Sequence, residues 1–232
     1  MINKILDFFF PPKCPFCNEL LTGKARVCLE CMKTLPFVDS DNSCSICGRP
    51  LGEYSYFICN SCQNQKTYFS HAFIPLIYEE DAKTAILRLK RSHPYFAKAF
   101  AYLLADKILS SDYYTKFDYI TYVPQSPKSS RERGYNQAFL IAKELSSLLK
   151  VPCVSSLRRS NDGKPQHTLN AAERRENVKK CYFTTDKTFC GTVLLVDDIY
   201  TTGSTANYCS KLLLKMGFEK VYLAAALIRT ED

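Results

Sequence analysis

Eight cysteines stand in four pairs, each pair spaced by two residues: Cys14-Pro-Phe-Cys17, Cys28-Leu-Glu-Cys31, Cys44-Ser-Ile-Cys47 and Cys59-Asn-Ser-Cys62. Two intervening residues let a tight turn aim both sulfurs and its own amides at one ion, and zinc prefers four tetrahedral ligands of this soft kind. Cys14, Cys17, Cys28 and Cys31 fill one site, and Cys44, Cys47, Cys59 and Cys62 fill a second. The reading is two structural zinc ions in tandem ribbons. A cross-braced pairing, first with third and second with fourth, stays open. Asn18 and Gly48 follow two of the pairs, and both types tolerate the positive φ such turns need. No His or carboxylate replaces a thiolate, so no open catalytic position is implied. Zinc here either staples a segment too small to build its own core or shapes a docking surface for nucleic acid or a partner protein. The module is expected to stand apart, so that loss of Cys44 unfolds its ribbon and leaves the rest folded. Cys153, Cys181, Cys190 and Cys209 lack paired spacing and read as reduced core or surface residues.

A second kind of chemistry sits in Val193-Leu-Leu-Val-Asp-Asp-Ile-Tyr-Thr-Thr-Gly-Ser-Thr205. An apolar strand delivers two adjacent carboxylates at its carboxyl end, the edge where open α/β sheets bind ligands. The Thr/Gly/Ser turn then opens a helix, whose free amides form an anion site suited to phosphate. Thr201, Thr202, Ser204 and Thr205 add hydroxyls, and Gly203 permits close backbone approach. Carboxylates beside a phosphate would repel it, so Asp197 and Asp198 must face something else. Ribose hydroxyls, with Mg²⁺ nearby, are their natural partners.

This segment resembles the phosphoribosyl-pyrophosphate (PRPP) motif of type I phosphoribosyltransferases along its whole length. The resemblance implies that Asp197 and Asp198 bind the ribose hydroxyls and that Thr201, Thr202, Gly203, Ser204 and Thr205 hold the 5′-phosphate. Three further stretches narrow it: Val123-Pro-Gln-Ser-Pro-Lys128 leading to Arg131-Glu-Arg-Gly-Tyr-Asn-Gln137, then Gln166-His-Thr-Leu169, then Glu173-Arg-Arg-Glu-Asn-Val178. With the cysteine pairs and the apolar lead before Pro11-Pro12, nearly the whole chain resembles the ComF/GntX family of competence proteins. That family joins an amino-terminal zinc module to a phosphoribosyltransferase-fold domain. Two departures stand out. Gln125 and Ser126 occupy positions where the family often has an apolar residue and Pro, and Tyr135 replaces the Phe of its RGFNQ.

The elements that must position these residues follow from patterning. His71–Tyr78 reads as a strand, Asp81–Arg91 and Tyr95–Leu109 as helices, and Phe117–Val123 as a strand ending in a Pro-rich loop. Tyr135–Lys150 has apolar residues at the helical period, Thr192–Val196 is a short buried strand, Ser204–Met216 a helix closed by Gly217, and Val221–Ile228 a strand. Strand, helix and strand in this order predict a parallel sheet covered on both faces. The expected fold class is a small zinc-ribbon domain followed by an α/β domain with the parallel sheet of the type I phosphoribosyltransferase fold. Its expected units are a double ribbon over 1–65 and a phosphoribosyltransferase-like domain over 66–232.

Charge points to polyanions. The chain has 232 residues and a formal net charge of +8. Residues 1–65 balance six basic against six acidic side chains, so the whole excess lies in 66–232. Zinc held by four thiolates carries −2 per site, which sharpens the contrast. Lys128, Arg131 and Arg133 follow the Phe117–Val123 strand, and by resemblance Gln125, Ser126, Pro127, Lys128, Arg131 and Arg133 form the pyrophosphate loop. The polar, aperiodic stretch 158–180 reads as a loop and carries Arg158, Arg159, Lys164, Arg174, Arg175, Lys179 and Lys180 against three acids. These seven are candidates for clamping PRPP or contacting single-stranded DNA, assisted by aromatics between the cysteines (Phe16, Phe37, Tyr54, Tyr56, Phe57). His167 reads as a surface residue or phosphate donor. His71 and His93 receive no role.

Composition excludes some classes. Hydrophobic content of 46% is too high for a disordered chain. No run of 18 apolar residues occurs, and Met1–Pro12 is interrupted by Lys4 and Asp7, so neither a membrane span nor a signal peptide is expected. Unpaired thiols and metal-like spacing fit a reducing cytoplasm. The family resemblance implies a factor in natural transformation that handles incoming single-stranded DNA in the cytoplasm and retains a Mg–PRPP site. It also implies a place at the inner face of the membrane and a DNA-translocating helicase as candidate partner. The competing reading is an active phosphoribosyltransferase; no base-binding segment identifies its acceptor, and no catalytic residue is assigned.

Overall fold

A computed structural model describes residues 11–52, 57–160 and 178–230. Among the described residues the amino-terminal part carries two short helices, α1 (Leu29–Thr34) and α2 (Asn60–Asn64), each starting at the cysteine pair it orients. In α1 the Cys28 side chain is itself the N-cap, with Cys31 N–H donating to its Sγ at 3.4 Å. Metal-ligand spacing and helix capping are thus one device here.

The rest is a parallel α/β sheet. β1 (Ala72–Phe73) and β2 (Leu76–Ile77) both pair with β7 (Lys220–Ile228), which pairs with β6 (Thr192–Tyr200), which pairs with β3 (Tyr119–Tyr122); every pairing is parallel. The single strand expected over 71–78 is split because Pro75 supplies no N–H to the ladder. Its carbonyl instead accepts from Val38 N at 2.8 Å, and Phe37 bridges Leu76, so the chain between the two cysteine clusters runs along the sheet edge.

Helices α3 (Glu80–Arg91) and α4 (Ala97–Leu109) follow the first strands. The segment after β3 is a helix, α5 (Pro127–Arg133), and not the loop expected from its prolines. Pro127 sits at the first helical position, where its missing N–H costs nothing, and Ser126 Oγ caps Ser129 N at 3.1 Å. Gly134 then ends the helix at φ 76°, a left-handed conformation glycine adopts without strain. Asn136 caps α6 (Gln137–Leu149). The 158–180 stretch is likewise not all loop: β4 (Leu157–Arg159) pairs antiparallel with β5 (Tyr182–Thr184), and residues 178–180 are helical. β6 runs on through both acids to Tyr200, and α7 (Ser204–Lys215) returns the chain to β7.

The sheet is buried on both faces. Leu194, Val196, Tyr222, Ala224 and Ala226 point into one core with α3, α4 and α6, while Val193, Leu195, Val221, Leu223 and Ala225 point into the other with α7. The cysteine clusters divide between them. Cys14, Phe16 and Cys31 belong to the first core, and Cys44, Cys47 and Cys59 to the second. Phe16 meets Phe100 of α4 edge-on at 5.8 Å. The ribbons therefore pack into the sheet's two cores and do not stand apart, each covering part of one face. Among the described residues, no helix is long and apolar enough to cross a membrane.

Candidate ligand cleft and metal centres

The ligand atoms of Cys14, Cys17, Cys28 and Cys31 all lie within 4.8 Å of one another, and so do those of Cys44, Cys47, Cys59 and Cys62. Adjacent pairs thus share a site, and cross-bracing is excluded. Four sulfurs about 2.3 Å from a central ion stand about 3.8 Å apart, which fits zinc. The Cys17–Cys28 and Cys47–Cys59 separations are 3.5 and 3.6 Å. The Cys44 side chain, hydrogen-bonded to Cys47, pushes the Cys47 thiol up to about 12. Of the other thiols, Cys181 and Cys209 are buried, Cys153 is half-buried and Cys190 is exposed; none is in a disulfide.

At the carboxyl edge of β3 and β6 opens a cleft of about 680 Å³. Asp197, Asp198, Thr201, Gly203 and Thr205 line one side. Gln125, Ser126, Lys128, Arg131 and Arg133 line the other. The two segments whose sequences point to one ligand therefore face one space. Pro127, Thr202 and Ser204 are not on its wall. Thr202 and Ser204 border a smaller recess of about 160 Å³ beside Lys179 and Tyr208. Thr202 Oγ1 lies 3.0 Å from Ser204 Oγ, and the N-cap of α7 is Gly203, which offers no side chain to the helix's first amides. Gly203 has φ 74°, and a Cβ there would overlap Tyr200 Oη, so any other residue would be strained and would have to displace the Tyr200 ring.

The two acids are inequivalent. Burial, reinforced by the Asp198 charge, raises Asp197 well above the usual carboxylate range. Burial acts the same way on Asp198, but the Lys90 ammonium 2.9 Å away outweighs it and holds that carboxyl below its ordinary value. Lys90 lies on α3 and is not among the site residues expected from sequence. Its partner is 108 positions away, so no local pattern announces it. The Arg133–Gln137 motif explains how it is placed. Tyr135 Oη donates to Leu89 O at 2.7 Å, Asn136 Nδ2 donates to Val123 O at 3.0 Å, and Gln125 Nε2 donates to Tyr135 O at 2.7 Å. The motif is a brace that ties α3, β3 and the Gln125 loop together around the cleft. Buried in this brace, Gln125 Oε1 and Gln137 Nε2 have no hydrogen-bond partner.

The basic candidates scatter. Arg159 lines the cleft beside Tyr182, stacked 5.1 Å from its ring, and its buried Nε has no partner. Arg158, the preceding residue of the same strand, is exposed to solvent, as are Lys179 and Lys180. Lys164, His167, Arg174 and Arg175 lie outside the described residues, as do Tyr54 and Tyr56. Of the aromatics between the cysteines, Phe16 is buried, whereas Phe37 is 39% and Phe57 79% exposed. Among the described aromatics of that set, these two are available for stacking.

Comparison with known proteins matches residues 5–65 to the double zinc ribbon domain. Competence protein F of Haemophilus influenzae is 31% identical over 222 residues, covering 92% of this chain and 95% of its own. The chain belongs to the ComF/GntX family. Competence protein ComFC of Bacillus subtilis is 27% identical over 91% of this chain and 87% of its own, and the DNA utilization protein YhgH of Escherichia coli K12 28% identical over 89% and 92%. Among solved structures, an adenine phosphoribosyltransferase aligns with 72% of this chain and 85% of its own at 19% identity and a TM-score of 0.37, a likeness that carries no argument about substrate. As a ComF/GntX protein the chain has the expected fold class, a double zinc ribbon followed by a parallel α/β domain of type I phosphoribosyltransferase fold.

Proposed function

We propose that this ComF/GntX protein serves DNA uptake by handling incoming single-stranded DNA in the cytoplasm, and that its cleft binds Mg–PRPP. The observation that carries the reading is the convergence of Asp197, Asp198, Thr201, Gly203 and Thr205 with Lys128, Arg131 and Arg133 on one cleft. PRPP is an anion at both ends with diol hydroxyls between. Cations for a pyrophosphate, carboxylates for a diol and a helix-opening turn for a phosphate all line the one cleft. Asp198, ionised beside Lys90, accepts from one ribose hydroxyl. Asp197 accepts from the other once it gives up its proton. Mg²⁺ arrives with the phosphates as part of the ligand. The competence and DNA-utilization names of the relatives support the DNA role. Residues 1–65 then act as the double-ribbon module and 66–232 as the ligand-binding domain. The helicase and the inner face of the membrane remain proposals from family resemblance.

Arg158, Lys179 and Lys180, all exposed, are the proposed DNA contacts, joined by Lys164, Arg174 and Arg175 from outside the described residues. Phe37 and Phe57 are the proposed stacking groups. Fluorescence anisotropy with labelled oligonucleotides across a salt series tests this. Direct handling requires binding at low salt that weakens steeply as salt rises and favours single over double strands. Absence of binding at low salt refutes it.

One observation favours phosphoribosyl transfer as a second reading. Gln125 and Gln137 line the cleft, and their amide side chains are of the kind an acceptor base pairs with. Incubation with PRPP and candidate bases, read as pyrophosphate release, separates the two readings.

A further inference from the structure

The second ribbon does more than close a sheet face. Its Cys44–Cys47 knuckle is pinned at three points. Ser45 O accepts from His71 Nδ1 at 2.6 Å. Gly48, at φ 69°, lies so close to β1 that an added Cβ would stand 3.1 Å from Ala72 O. Arg49, two residues after Cys47, reaches across to the far end of the sheet. Its Nη2 donates to Thr201 O at 2.8 Å and its Nη1 to Arg229 O at 3.2 Å. Thr201 opens the turn that faces the cleft, and Arg229 follows the last residue of β7. One guanidinium therefore fixes the turn against the sheet from behind. Behind the same turn, Phe69, which packs in the core shared with Cys44 and Cys47, meets Tyr200 edge-on at 6.4 Å, and Tyr200 Oη lies under Gly203.

We propose that Arg49 is a positioning residue for the anion-binding turn, so that the folded second ribbon sets the ligand affinity of a cleft it does not line. The proposal rests on the reading of the cleft as a Mg–PRPP site. Arg suits the task and Lys does not, because two carbonyls must be held by one planar fork in fixed relation. The guanidinium needs no ligand charge to stay in place, since both of its acceptors are backbone. Its direction is set by a rigid support, the Cys47-Gly48 turn, which in turn is held by the zinc site. A turn fixed in this way presents its amides in one arrangement before the ligand arrives and loses less entropy on binding.

The test uses the full chain in three forms besides wild type. Arg49→Ala removes both bonds. Arg49→Lys keeps the charge and loses the fork. Lys107→Met is the control: Lys107 of α4 donates to Val38 O at 3.2 Å and Ser40 Oγ at 2.6 Å, and so ties the segment before the second ribbon to the domain far from the turn. Metal content, hydrogen exchange of residues 201–206, and calorimetric affinity for PRPP with Mg²⁺ are measured on each. Arg49→Ala is expected to keep both zinc ions, to exchange faster at 201–206 and to bind PRPP about tenfold more weakly. Arg49→Lys should fall between, and Lys107→Met should match wild type in exchange and affinity. If Arg49→Ala sheds zinc, the comparison of Arg49→Lys with wild type at full zinc content decides the matter. Unchanged exchange and affinity in the arginine variants overturn the proposal, and so does an equal loss in Lys107→Met. Should wild type bind no PRPP, the ligand reading fails, while the exchange data still decide whether Arg49 fixes the turn.

Discussion

The two zinc ribbons have the same four ligands and opposite situations. The first leaves Cys17 exposed and sends Phe16 into the helical side of the sheet, against α4. The second buries Cys44, Cys47 and Cys59 on the other side and sends Arg49 to the turn that closes the cleft. The first touches the cleft only at second hand, through the core from which α3 presents Lys90. Identical metal chemistry thus serves two ends: one ribbon seals a core, and the other also holds the turn at the cleft. Ligand type fixes what the metal does to the chain, and neighbours fix what the ribbon does for the protein.

The sharpest way to break this comparison is to remove one ligand from each ribbon. Zinc binding to such modules is worth roughly 10–16 kcal/mol, the scale of a whole domain's stability of about 5–15 kcal/mol. Cys44→Ser should lose one zinc, lower the thermal midpoint of the entire domain and abolish PRPP binding. Cys17→Ser should lose the other zinc and also lower the thermal midpoint, since Phe16 packs against Phe100, yet below that midpoint keep a PRPP affinity within about twofold. Equal losses in the two variants would contradict the asymmetry.

Next in size is the proton at the carboxylate pair. Asp197 is held well above the ordinary value by burial and by Asp198, whereas Lys90 keeps Asp198 below it. A ligand that needs both acids ionised must expel the Asp197 proton, so affinity should rise as pH increases through the raised Asp197 value. Calorimetry at one pH in buffers of different ionisation heat should show proton release on binding. Lys90→Met removes the cation that separates the two acids, and should lower affinity about tenfold and move the rise to higher pH. A pH-independent affinity in wild type would show that Asp197 does not bind as the anion.

Smaller effects are expected at the surface and in the brace. Neutralising Arg158, Lys179 and Lys180 together removes three phosphate contacts, and the slope of log affinity for single-stranded DNA against log salt should fall by about 2. Tyr135→Phe loses the bond to Leu89 O but keeps the ring, and should cost about 1 kcal/mol in urea unfolding, with PRPP affinity little changed.

Local chemistry was legible in the sequence and long-range chemistry was not. The cysteine clusters could be read because each ligand pair is a single turn, and the spacing carries the geometry. The Val193–Thr205 segment was legible for the same reason: strand, acids, turn and helix are consecutive. Helix α5 was obscured because Pro127 reads as a loop former unless its place at the first helical position is recognised, although Ser126 and Gly134 bracket it as cap and stop. Arg158 and Arg159 read in sequence as parts of one loop, whereas strand alternation in β4 sends one outward and the other into the cleft. Lys90 and Arg49 carry no local signal at all, since each meets its partner across more than a hundred residues. Both came into view only with the sheet that brings those partners together.

The Asp197–Asp198 pair and its turn are proposed to form the Mg–PRPP site. The most direct measurement is a calorimetric titration of the zinc-loaded full chain with PRPP in the presence of Mg²⁺, on wild type and on Asp197→Ala/Asp198→Ala. Saturable binding at one site per chain is expected for wild type. In the double variant it should weaken by about tenfold or more, since each charged hydrogen bond contributes about 1.5–3 kcal/mol. Equal affinity in the two proteins would contradict the claim.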